Sequence, residues 1–113
     1  MKFSKRSLDT ISTEEAHGGS GSRQMLLDTS LNLSKNWEAV TKGFLPAGRM
    51  FDEHEHDSID EMWIVTKGEG TFSCEGENLP YAAGDVFTVS ANTSHKIVAD
   101  TDTEGFFIRV KSA

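Results

Sequence analysis

The chain has 113 residues, 36% of them hydrophobic, with a formal net charge of −7 and one cysteine. That length suits a single domain able to bury roughly two thirds of its unfolded surface, and aromatics spread from Phe3 to Phe107 argue against a disordered composition. The acidic balance argues against nucleic acid or anionic membranes as partners, and no apolar run approaches the ~20 residues that span a bilayer.

In chain order, "MKFSKRSLDT" carries positive charge with no apolar stretch behind it, so it does not read as a secretory signal. The lone Cys74 cannot form an internal disulfide, which fits a reducing cytoplasm. Residues 1–22 read as an N-terminal extension, forming a dimer contact or a lid. Within it "STEEAH" (12–17) predicts a short helix capped by Ser12 or Thr13, stopped by "HGGSGS" at 17–22. The body, 23–113, opens with "RQMLLDTS" (23–30) and continues into "WEAVTKGFLP" (37–46), which alternates with period two. Turn-rich breaks follow at 46–48, 57–60, 67–70, 75–80, 83–85, 90–94 and 100–105. The segments between them, "EMWIVT", "GTFSC", "DVFTV", "HKIVA" and "FFIRV", are short and rich in β-branched and aromatic residues. This spacing predicts an all-β sandwich or barrel.

Chemistry concentrates at "HEHDSIDE", residues 54–61. On a strand, His54 and His56 point to one face, ~7 Å apart along the backbone, so one ion can take a nitrogen from each. Glu61 lies an odd five positions beyond His56, which on one straight strand would send it the other way. A turn at "DSID" answers this: it predicts a hairpin in which residues 61–66 return antiparallel and Glu61 faces the histidines. His95, which begins "HKIVA", can enter the same interior from another strand. Three neutral imidazoles and a carboxylate suit Fe, Mn, Co, Ni or Zn rather than Ca or a thiolate-seeking ion. On an octahedral ion they leave two positions for water or substrate.

Gly48, His54, His56, Glu61 and Gly68 read as G-x5-H-x-H-x4-E-x6-G, which resembles the first motif of the cupins without a departure. A chance match to all five positions is on the order of one in 10⁵ per chain. The second cupin motif, G-x5-P-x-G-x2-H-x3-N, is matched at Gly84 and His95, with Ser90, Asn92 and Ala99 at its Pro, Gly and Asn positions. The replaced residues shape a turn and do not ligate, and Asn92 can adopt the left-handed conformation a glycine would supply. The resemblance implies a double-stranded β-helix, the jelly-roll cupin barrel, with a short, partly extended N-terminal segment. It maps His54, His56, Glu61 and His95 onto the family's metal ligands and implies one divalent transition metal per chain. Family members are often homodimers that share N-terminal strands.

Around this set, Trp63 and Val65 alternate with Glu61 and should share its interior face, as substrate-pocket lining or as barrel core. Phe72 joins them as a pocket candidate and shares parity with Cys74, which reads as a buried small hydrophobe rather than a nucleophile. His17 reads as a surface or interface residue, unless the N-terminal segment folds over the barrel mouth. Arg23, Arg49 and Arg109 are candidates for gripping an anionic substrate, but Arg109 alternates out of phase with Phe106, Ile108 and Val110 and is expected to point outward. Tyr81 is a weaker candidate, placed in a turn. The expected function is that of a metal-dependent enzyme on a small polar organic molecule. A dioxygenase-like reaction leads, with isomerase, decarboxylase and cyclase chemistry open. The alternative is a non-catalytic module that binds a metal or small ligand.

Overall fold

The structure, a computed structural model, describes residues 3–27 and 33–112. Among the described residues ten strands form two antiparallel sheets. The larger has the order β1 (Thr13–Ala16), β2 (Gly21–Leu27), β3 (Trp37–Leu45), β10 (Thr103–Lys111), β5 (Ile59–Lys67) and β8 (Val86–Val89). The smaller has the order β4 (Met50–His54), β9 (His95–Ala99), β6 (Gly70–Cys74) and β7 (Glu77–Tyr81). Among the described residues there is no α-helix, only 3-10 turns at Leu8–Thr10 and His17–Gly19. The architecture is the all-β jelly roll.

The period-two pattern drives it. Along β3 every second residue from Ala39 to Leu45 is buried, and on β9 His95, Ile97 and Ala99 are buried together. Those faces meet in one core. Leu45, Trp63, Val65 and Val89 from the larger sheet pack against Phe51, Phe72, Tyr81, Ile97 and Ala99 from the smaller. Trp63 is the hub, stacked on Phe107 and Phe87 with ring centroids 5.6 and 5.5 Å away, with Tyr81 edge-on at 4.9 Å. Burying such a ring contributes about 1.5–3 kcal/mol. Gly68, the last glycine of the first motif, has φ +101°, and a Cβ there would lie 2.6 Å from the Asp102 carbonyl, so the turn before β6 admits only glycine without a backbone shift.

Three local expectations are corrected. Residues 13–16 form a strand, not a helix: the Thr/Glu pattern that suggests a cap has no apolar helical face behind it, and β1 instead pairs with β2, joining Glu14 to Arg23 at 2.8 Å. The stretch 75–80, expected as a break, mostly belongs to β7. Its Pro80 is tolerated because β7 is an edge strand that needs no second ladder. The segment 54–61 is not a hairpin either. β4 pairs with β9 in one sheet and β5 with β10 and β8 in the other, so the turn carries the chain across the core. Of the expected opening segment 23–30, residues 28–30 lie outside those described.

Candidate metal centre

His95 opens β9 directly after the loop 90–94, and its Cα partner across the ladder is His54, the last residue of β4. Two ring nitrogens therefore start as neighbours, with centroids 4.3 Å apart. His56 lies two residues beyond the end of β4, so strand geometry does not aim it. Asn92 does: in the left-handed conformation (φ 63°), it donates its N–H to the His56 carbonyl at 3.0 Å, and its Oδ1 accepts from the Ser58 N–H at 3.1 Å. The departure from the second cupin motif at this position thus supplies both the turn and a clasp between the two histidine-bearing loops. Glu61 enters from β5 in the opposite sheet, buried to 7% exposure.

The donor atoms of His54, His56, Glu61 and His95 all lie within 4.8 Å of one another. Opposite ligands at ~2.1 Å from a transition metal are ~4.2 Å apart, so little closure is needed. The hydrogen bonds set the tautomers. His54 Nδ1 donates to the Asp52 carbonyl at 2.7 Å and His95 Nδ1 to the Thr93 carbonyl at 3.0 Å, since a carbonyl can only accept. In the neutral rings each Nε2 then carries a lone pair. His95 Nε2 meets Glu61 Oε1 at 3.0 Å, and His56 Nε2 lies 3.4 Å from Oε2, buried with no hydrogen-bond partner among the described residues. Where the His95 lone pair meets the Glu61 carboxylate, acceptor faces acceptor, and a positive charge belongs between them, a proton or a metal ion. A divalent transition metal fits this donor set.

The electrostatics agree. Burial alone would raise the Glu61 carboxyl, but His56 and His95 outweigh it and hold the pKa at about 2. Burial would lower His95, yet Glu61 and the Thr93 carbonyl bring it above the usual value. His54 is lowered by burial and by the neighbouring imidazoles His95 and His56.

Beside the cluster is a cavity of about 30 Å³, room for roughly two waters at ~10–15 Å³ each. Its lining includes His17, Arg23, Phe51, Phe107 and Arg109. The N-terminal segment does fold over the mouth: His17 stacks on Phe51 with centroids 4.5 Å apart and lies 4.8 Å from the His54 ring. Burial, then the neighbouring His54, takes its pKa down to about 4. Arg109 faces inward, against the expectation. In β10 the inward set is Gly105, Phe107 and Arg109, opposite Val65, Trp63 and Glu61 of β5. The apolar residues Ile108 and Val110 instead lie on the outer face beside Met62 and Thr88.

Trp63, Val65 and Phe72 do not line this cavity. They are 3%, 1% and 4% exposed, in the core beneath it, with Phe72 stacked 6.1 Å below His95. Tyr81 bonds to Thr103 at 2.7 Å in the same core, and Arg49 is exposed in the turn before β4. Cys74 packs against the core, and burial, with Glu75 and Glu77, pushes its thiol up.

The cupin domain family profile matches residues 43–110. The chain belongs to the cupin family. An oxalate-binding protein of Thermotoga maritima is 33% identical over 66 residues, which are 58% of this chain and 54% of that protein, so the match spans about half the relative's length. A solved structure described as a predicted oxalate decarboxylase, also from Thermotoga maritima, superposes with a TM-score of 0.82 at 24% identity, covering 91% of this chain and 95% of that one. Ectoine synthase from P. lautus superposes with a TM-score of 0.83 at 15% identity, covering 98% and 80%. At these identities the superpositions establish the cupin fold alone.

Proposed function

We propose that this cupin is a metal-dependent enzyme acting on a small polar organic molecule, with His54, His56, Glu61 and His95 holding one divalent transition metal. The observation that carries this reading is the convergence of two tautomer-locked imidazoles and an orphaned His56 nitrogen on one buried carboxylate. When bound, the ion supplies Lewis-acid chemistry or, if it is iron, oxygen activation of the dioxygenase kind. The chain's own part is to aim the imidazoles and to wall the cavity with Phe51 and Phe107 against bulk water. The His17 turn acts as a lid and presents an uncharged ring at neutral pH, able to give or take a hydrogen bond at the mouth. The exposed Met62 and Val86 on the outer face of the larger sheet support a homodimer, and the single cysteine supports a cytoplasmic setting. Among the described residues no helix is long and apolar enough to cross a membrane.

Elemental analysis of protein purified without added metal tests the reading. Iron would favour oxygen chemistry of the dioxygenase kind, and zinc would favour Lewis-acid or structural roles. No stoichiometric metal even after reconstitution would overturn it. A second reading, a non-catalytic binding module, is favoured by the small cavity and by the relative named for binding oxalate. Saturable ligand binding without turnover, whichever metal is loaded, would select it.

A further inference from the structure

The charges around the cavity point to the substrate's class. Arg23 is already neutralised by Glu14 at 2.8 Å. For Arg109, no carboxylate lies within 4.0 Å among the described residues. Its nearest acidic neighbour by register is Glu61, directly opposite on β5, but the Glu61 oxygens are turned to His95 at 3.0 Å and His56 at 3.4 Å. A guanidinium cannot shed its charge to escape partial burial, as a lysine or histidine can. Arg109 therefore brings to a half-buried cavity a permanent positive charge and a planar fork of donors with no anion to receive them.

We propose that Arg109 is the substrate-gripping residue of this site and that its ligand is the carboxylate of a short organic acid. The inference rests on the functional reading above only for the ion beside it. The fork matches a carboxylate with two parallel hydrogen bonds, and a neutral hydroxyl or amide would leave the charge uncompensated. Space sets the size: at about 30 Å³ the half-open cavity takes one carboxylate group as it stands, and a longer acid must displace the His17 turn or the Arg23–Glu14 pair at the mouth. Charge points the same way. A divalent ion would more than offset Glu61, and Arg109 adds to the excess, so the loaded site favours an anion over a neutral polar molecule.

The test is calorimetric titration with acetate, malonate and succinate, each against its amide counterpart, on metal-loaded and chelator-stripped protein. The expected result is at least a tenfold preference for the acids in the loaded protein and a smaller preference of the same sign in the stripped one. Arg109→Gln should abolish both without changing metal stoichiometry. Arg109→Lys, which keeps the charge and loses the fork, should retain part of the preference, and Arg49→Gln, at an exposed position outside the cavity, should leave it within twofold. Stoichiometric metal with no preference for acids, or a preference that survives in Arg109→Gln, would overturn this inference and leave the metal reading standing. An Arg109-dependent preference in a protein that never takes up metal would support the inference and sink the metal reading alone. Tighter binding of inorganic phosphate than of any acid would overturn the assignment to carboxylates.

Discussion

Glu61→Gln isolates what the buried carboxylate does, because the amide keeps the shape and an oxygen ligand while losing the charge. Two unit charges at the 3.0 Å that separates Glu61 from His95 interact by about 5 kcal/mol at an effective dielectric near 20. That figure is the scale for one positive charge beside Glu61, and solvent screening at His56 together with the retained amide oxygen reduces the net loss. Roughly half of that figure, about 2.7 kcal/mol, corresponds to a hundredfold loss of metal affinity and agrees with the ~1.5–3 kcal/mol typical of charge-assisted hydrogen bonds. The variant should fold, because its amide N–H can donate to the neutral His95 Nε2. A second readout is independent of metal. Burial pushes the His95 pKa down, and Glu61 with the Thr93 carbonyl pushes it up. With Glu61 gone, the His95 titration should move from above 6.5 to below it. Chelator competition at pH 7.5 measures the first effect and NMR titration of the His95 ring the second. A folded variant that binds metal within threefold of the parent, with the His95 midpoint unmoved, would refute the reasoning.

Metal affinity should fall as pH drops, starting at the elevated His95 pKa and continuing as His54, whose pKa is lowered, takes up its proton; an affinity flat from pH 8 to 5 would exclude histidine ligation. His17, with a folded-state pKa of about 4, binds fewer protons in the folded than in the unfolded chain between there and 6.5, so it removes stability as pH falls through that window. His17→Asn, which tolerates the same left-handed backbone, should therefore lose less stability than the parent between pH 7 and 4.5 in urea melts. His54→Ala should lose its metal while keeping the parent's circular dichroism spectrum, since the barrel rests on apolar burial; an unfolded variant would contradict that division of labour. Gly105→Ala would place a Cβ 2.5 Å from the Ile64 carbonyl and 2.6 Å from Trp63 Nε1. Backbone cannot yield there, so the cost should reach the upper end of overpacking, roughly 3 kcal/mol, and lower the melting temperature by roughly 10 °C.

The clustering was legible because metal chemistry would constrain residue type and spacing together, and His54, His56, Glu61 and His95 do converge into a group that could hold an ion. The route by which they converge was not legible. A turn at "DSID" is written in the sequence, but whether the following strand pairs with its predecessor or crosses to another sheet depends on where β9 and β10 offer a free edge. Period-two reasoning failed in two instructive ways. On β10 both faces are apolar, Phe107 inside and Ile108 with Val110 outside, so hydrophobicity could not choose the inward face and Arg109 was assigned to solvent. Gly105 was the available signal. It shares parity with Arg109, and its missing Cβ makes room for the Trp63 ring, a demand only the inner face imposes.

On β5, parity gave the correct face and the wrong height. Trp63 and Val65 do share the interior with Glu61, but each pair of residues descends ~7 Å along the strand. The interior is consequently layered. Glu61, Arg109, His54 and His95 occupy one end, Trp63, Phe107, Phe72 and Ile97 form the aromatic and aliphatic floor below, and Val65, Gly105, Ala99 and Gly70 close the far end. A residue's layer is fixed by its cross-strand partners, which no single strand reveals. This layering also explains why charge survives inside so small a barrel. The polar layer lies at the end covered by the His17 turn, where water reaches it through the mouth. The hydrophobic layers beneath carry the stability and stay dry, which leaves substitutions in the upper layer free to alter the chemistry with the floor intact.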